Sequence, residues 1–147
     1  MKFGEKIKEL FKCRRKTKTV SFKDNYIHCG LPVISLYNDN TQLNFIVDSG
    51  STVNVINKDA VKYLHYTETG MGAEVATGGN SATGDLINIP LHDTNIVVNA
   101  NFLVLNLDKQ FTEIKAKEQV TVHGIIGCKF LETIEGVLNF KTYTLTY

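Results

Sequence analysis

Hydrophobic and polar residues alternate along much of this chain with a period of two. In the run from Gln42 to Val47, Leu43, Phe45 and Val47 fall on one side and Gln42, Asn44 and Ile46 on the other. Successive side chains of a strand point to opposite faces, so this spacing predicts a strand with one core-like face. Residues Leu31 to Val47 read as two strands joined at Asn38-Asp39-Asn40, since Asn and Asp tolerate tight turn geometry. Val53 to Ile56 restarts a strand, and Asn57 to Leu64 suits a short helix with Asn57 as N-cap. From Gly72 to Leu91, two strand-like runs flank a glycine-rich centre, Thr77 to Gly84, which predicts a hairpin with a flexible tip. Asn95 to Leu107 is strongly strand-like, and Lys109 to Thr121 reads as a polar connection. Val122 to Glu132 reads as a strand that breaks at Gly127 into a helical turn, and Gly136 to Tyr147 as one or two closing strands. Many short strands with two short helices predict a mainly β, closed or semi-closed fold.

Ahead of this β pattern, Phe3, Ile7, Leu10 and Phe11 recur at helical spacing, the mark of a short amphipathic helix. Charge separates at the same place. Residues 1–19 hold eight Lys and Arg against two Glu, whereas residues 20–147 hold eight against thirteen Asp and Glu. The chain divides accordingly into a basic arm, 1–19, and an acidic body, 20–147. A solvated or docked arm is preferred over one that contacts anionic lipid or nucleic acid.

With 147 residues, the chain has room for one domain with a real core. No apolar run approaches the roughly 18 residues of a membrane span, and the N-terminus lacks the pattern of a signal peptide. Three cysteines, Cys13, Cys29 and Cys128, form no C-x-x-C pair, which argues against a disulfide framework or zinc site and for a cytoplasmic compartment. His28, His65, His92 and His123 are scattered without metal-ligand spacing, so no metal or cofactor is expected, and a structural role for His123 is preferred. Cys128 is expected to be a small buried hydrophobe.

One stretch carries chemistry. In Phe45-Ile46-Val47-Asp48-Ser49-Gly50-Ser51-Thr52 a carboxylate emerges from an apolar strand into a loop of small hydroxyl residues. Gly50 permits a tight turn and close approach, and the hydroxyls can orient a carboxylate. The bland alternative is a turn aspartate. A single carboxylate cannot serve as both acid and base; it needs a partner whose environment drives the two pKa values apart.

This stretch resembles the active-site loop of aspartic proteases. Downstream, Ile125-Ile126-Gly127 resembles the hydrophobic-hydrophobic-Gly motif of the same family, followed by Phe130-Leu131 where a short helix is expected. The element order resembles the single-domain, retropepsin-like branch, over about Ile27 to Tyr147. The resemblance implies a closed β-barrel with a flap hairpin and one or two short helices. It implies Asp48 as the catalytic residue, with Ser49 bracing the two loops across a dimer, Gly50 near substrate backbone and Ser51 orienting the outer carboxylate oxygen. Thr52 completes the loop. Thr77, Gly78, Gly79 and Asn80 would form the substrate-covering flap, although no aromatic residue lies between Val75 and Leu86.

The motif occurs once. Asp93-Thr94-Asn95 lacks the glycine, and Glu68-Thr69-Gly70 has the wrong acid. A second carboxylate must come from a second chain, so the resemblance implies a two-fold homodimer acting on a peptide or protein. Leu145 to Tyr147 are expected to help build its interface, and Phe140, Tyr143 and Tyr147 to serve core or interface. The reading is an aspartic endopeptidase; the alternative is a non-catalytic module of the same fold that dimerises or binds peptide.

Overall fold

The computed structural model describes residues 17–147. The expected N-terminal amphipathic helix and the basic arm up to Lys16 lie outside these residues. In chain order the elements are β1 (Thr19–Ser21), α1 (Lys23–Cys29), β2 (Val33–Asn38), β3 (Thr41–Val47), β4 (Asn54–Asn57) and α2 (Lys58–Val61). There follow β5 (Thr67–Thr77), β6 (Asn80–His92), β7 (Val97–Leu105), α3 (Asp108–Glu118), β8 (Gly124–Ile126), α4 (Cys128–Thr133), β9 (Val137–Asn139) and β10 (Thr144–Thr146).

Six strands run in the order β2-β3-β8-β4-β7-β6, and pairing of Tyr37 with His92 joins β6 back to β2. The sheet is thereby a closed barrel without free edges around its core. The alternation in the sequence sets the inward face: Leu43, Phe45 and Val47 are 4% exposed or less. They pack with Leu36, Ile56, Ile89, Phe102 and Ile126, and the Phe45 and Phe102 rings lie 5.6 Å apart. Each such side chain contributes about 1.5–3 kcal/mol on burial.

Strand β5 hangs outside the barrel on β6 as a long hairpin. Its turn is only Gly78-Gly79, both at positive φ (54° and 98°), between the paired Thr77 and Asn80. A two-residue turn with both central residues left-handed matches the twist of its strands and favours glycine. Residues Ser81 to Gly84, expected in the flexible tip, are in the strand ladder instead. The β2–β3 turn is as expected, with Asp39 at φ 49°.

A second sheet, β1-β10-β9, joins the two ends of the described chain. It is tied to the barrel at Asp93. The Asp93 carboxylate accepts from the Tyr147 hydroxyl, from Lys18 Nζ at 3.0 Å, and from the Asn95 and Ile96 backbone N–H groups at 2.7 and 2.9 Å. Burial alone would raise the Asp93 carboxyl, but these donors together hold it below its ordinary value. Burial, and then the Asp93 carboxylate, push the Tyr147 phenol well above its own.

Two helices depart from expectation. Lys23–Cys29 is helical, closed by Gly30 at φ 69° with its N–H on the Tyr26 carbonyl, a left-handed glycine cap. Asp108–Glu118, expected as an irregular connection, is a full helix that buries Phe111. The expected helix after Asn57 is a single turn, Lys58–Val61. Asn57 holds the N-cap position but makes no capping bond. Its side chain instead accepts from Leu107 N–H at 2.9 Å and donates to Asp108 Oδ1 at 2.8 Å.

Candidate active site

Strand β3 leaves the core through Phe45 and Val47, and Asp48 is the first residue past its end, exposed to solvent. Strand β8 lies parallel to β3, with Val47 opposite Ile126, and antiparallel to β4, with Val55 opposite Ile125. It is wedged between the strands that begin and end the Asp loop. Asp48 N–H donates to the Ile126 carbonyl at 2.9 Å, and Cys128 N–H to the Ser51 carbonyl at 2.9 Å. The Cys128 thiol donates to the Ser49 carbonyl at 2.7 Å. Cys128 is exposed, contrary to the expectation that it is buried. Asp48, Ser49, Gly50, Ser51 and Thr52 therefore form one loop, stapled from behind by Ile125, Ile126 and Gly127.

Two glycines make this packing possible. A Cβ on Gly127 would stand 2.4 Å from the Ser51 carbonyl oxygen and 2.8 Å from that of Val53, inside any tolerable contact. A Cβ on Gly50 would stand 3.2 Å from Asp48 Oδ1. The Gly50 N–H donates to that same oxygen at 2.9 Å and orients the carboxylate. Ser51 does not do so. Its hydroxyl donates to the Val53 carbonyl at 2.7 Å and braces the exit of the loop. The Ser49 side chain makes no hydrogen bond among the described residues, and Thr52 is exposed.

Asn54 was not singled out from the sequence, yet it underlies the loop. It is 7% exposed. Its Oδ1 accepts from the Gly127 N–H at 2.9 Å, and its Nδ2 donates to the Asn101 carbonyl of β7 at 3.1 Å. The signal was present: an amide inside the apolar run Val53 to Ile56 has to find partners when buried.

His123 is structural, as expected. The Asn44 backbone N–H donates to its Nδ1 at 2.9 Å, and the His123 backbone N–H donates to the Asn44 carbonyl at 2.8 Å. An imidazole nitrogen that accepts a backbone N–H is unprotonated. Burial first, and the Lys115 cation further, lower His123 below its ordinary value of 6.5.

The hairpin tip, Thr77 to Asn80, is exposed. No hydrogen bond joins it to the Asp48 loop among the described residues. A groove of about 400 Å³ opens beside Asp48 and Ser49, lined by Leu31, Pro32, Leu138 and Phe140 among others. A larger cavity, about 590 Å³, lies at the base of the hairpin against α2 and includes none of the Asp loop; the chemistry points to the smaller one. No helix among the described residues is long and apolar enough to cross a membrane.

No family model matches the chain, and no curated protein matches it by sequence. Solved structures do match it by shape. A retropepsin-like aspartic protease from Rickettsia conorii superimposes with a TM-score of 0.56 at 15% identity, over 90% of this chain and 91% of that one. The retroviral protease-like domain of Ddi1 from Leishmania major gives 0.51 at 16% identity, over 78% and 86%. The EIAV protease bound to the inhibitor HBY-793 gives 0.49 at 15% identity, over 75% and 93%. The fold of this chain is the retropepsin-like one, a closed β-barrel with few short helices.

Proposed function

We infer that the protein is an aspartic endopeptidase, whose active centre forms when two chains bring their Asp48 carboxylates together. The observation that carries this reading is the solitary, solvent-facing Asp48, held by the Gly50 N–H at the end of a buried strand. At about 3 Å and an effective dielectric constant near 20, two carboxylates repel by about 5 kcal/mol. They therefore share one proton and titrate as a pair. The ionised member takes a proton from a water lying between them, and the water oxygen attacks a peptide carbonyl. The protonated member donates to the carbonyl oxygen, and a proton then passes to the leaving amine. The Ser49 hydroxyl, unbonded among the described residues, braces the partner's loop across the two-fold axis in this reading. The Gly78-Gly79 hairpin acts as the flap over an extended peptide bound strand-fashion.

Asp48→Asn tests this directly. Peptide-library cleavage by the dimer is expected to fall by at least about 10²–10⁴-fold, the typical contribution of a general base, with unfolding midpoint and dimerisation unchanged. A wild-type dimer that cleaves no peptide between mildly acidic and neutral pH would instead support the non-catalytic peptide-binding module.

A further inference from the structure

A third hollow, of about 340 Å³, runs from the end of the Asp loop to α4. Its floor is apolar, Leu86 and Phe130, and its walls carry Thr52, Asn99, Asn101 and Lys129. Asn99 and Asn101 stand two apart on β7 and are both exposed, so they share its outer face. The Asn101 side-chain oxygen accepts from Asn88 Nδ2 at 2.9 Å, which leaves its NH2 end to donate. No Asp or Glu among the described residues lines the hollow, and Lys129 is its one charge. That stands out in a body, residues 20–147, that carries thirteen acids against eight Lys and Arg.

This groove is tied to the Asp loop in two ways. Helix α4 follows Gly127 directly, and the Cys128 N–H holds the Ser51 carbonyl at 2.9 Å, so Lys129 rides on a turn pinned to the loop. Thr52 stands four residues past Asp48, and four residues span at most about 14 Å. Strand β6, which supplies Leu86, is also a strand of the hairpin. An extended peptide lying between the Asp loop and the hairpin advances about 3.3 Å per residue. It therefore reaches the groove within about four residues of the bond held over Asp48.

We propose that Lys129 is a specificity residue, which selects peptides carrying an acidic side chain within about four residues of the scissile bond. The proposal rests on the endopeptidase reading above and names its substrate class. Charge complementarity carries it. A carboxylate entering the groove meets a cation and amide donors and no like charge, whereas a cationic side chain meets only repulsion. Lys129 bonds Glu132 at 3.3 Å, but the two side chains are 78% and 74% exposed. A pair so exposed is weak and screened by salt, so a carboxylate brought by a peptide competes for the same cation. Two chains supply one groove each, and the preference therefore falls on both sides of the bond.

Matched peptides with one cleavable core and Glu, Gln or Lys at the flanking positions test the proposal, through kcat/KM at about pH 6, where a glutamate is ionised. Wild type is expected to prefer Glu over Gln by about 1.5- to 5-fold, the range of an exposed ion pair. It is expected to disfavour Lys, with both effects fading in about 1 M salt. Glu132→Gln, which releases the cation, is expected to widen the preference. Lys129→Gln is expected to abolish it and Lys129→Glu to invert it, while Lys117→Gln, on α3 and outside the groove, keeps it. A wild type indifferent to the flanking charge, or a preference that survives in Lys129→Gln, overturns the proposal. Either result leaves the endopeptidase standing, because the peptides are still cut. If wild type cuts none of them, the hydrolase reading fails, and fluorescence anisotropy with labelled versions of the same peptides decides the groove alone. Tighter binding of the acidic peptides that is lost in Lys129→Gln supports it as a peptide site; equal binding overturns it.

Discussion

Asn54→Leu is the sharpest probe of what shapes the Asp loop. The side chain is nearly isosteric, so packing changes little. What is lost is the acceptor for the Gly127 N–H, at 2.9 Å, and the donor to the Asn101 carbonyl, at 3.1 Å. The two losses differ. Asn101 is exposed, and its carbonyl regains water at little cost. Gly127 is buried, and its N–H is left without a partner, which costs about 1–3 kcal/mol. At this chain length that corresponds to a Tm drop of about 3–10 °C. Urea unfolding followed by circular dichroism would measure it, with the exposed Asn99→Leu on β7 as a control expected within about 0.5 kcal/mol of wild type. Gly127 also sets the position of Cys128, whose N–H holds the Ser51 carbonyl, so peptide cleavage should fall while the variant is still folded. If Asn54→Leu unfolds at the wild-type midpoint, the carboxamide does not anchor the loop and the account of the site is wrong.

Two further predictions concern pH. His123 is lowered in the fold from 6.5, so the unfolded chain binds the proton first. Its stabilising contribution is full above about 6.5 and is lost as pH falls below it toward the lower, folded value; the slope of unfolding free energy against pH should flatten there in His123→Gln. Asp93 is lowered in the fold from 3.8, so its contribution is present above that value and is lost as pH falls through the folded one. Asp93→Asn should destabilise by about 1.5–3 kcal/mol near neutrality, the loss of bonds to a charged acceptor. Acid titration of stability should show that gap closing below about pH 3.8; a gap constant down to low pH would refute it.

The strands and the site motif were legible because each is written in local order. Leu43, Phe45 and Val47 alternate cleanly, and the apolar lead-in to Asp48 and the Ile125-Ile126-Gly127 motif are both contiguous. Helix α3 was not legible. Phe111 is its one buried residue, which leaves too thin a stripe to stand out, and it ends on Gln119 at φ 59° rather than on a glycine. Helix α1 holds no buried residue at all, so its periodicity carries little signal. The role of Ser51 could not be read because the choice between Asp48 and the Val53 carbonyl depends on how the loop turns. The burial of Leu145 was not legible for a similar reason: it follows from β1 pairing with β10, a contact between the two ends of the described chain that local pattern does not encode.

The wedge of β8 between β3 and β4 also governs when the site can exist. The contacts that shape the Asp loop, Gly127 to Asn54 and Cys128 to Ser49, join residues 73 and 79 positions apart. Loop closure over such separations is slow and is rewarded only when the strands on both sides are already in place. During synthesis, a chain that has emerged through the hairpin and β7 still lacks the segment that forms the loop. On the function proposed above, the carboxylate is thus translated early but becomes competent late, after nearly the whole barrel has assembled. Partly made or partly unfolded chains carry Asp48 without the geometry that would let it act.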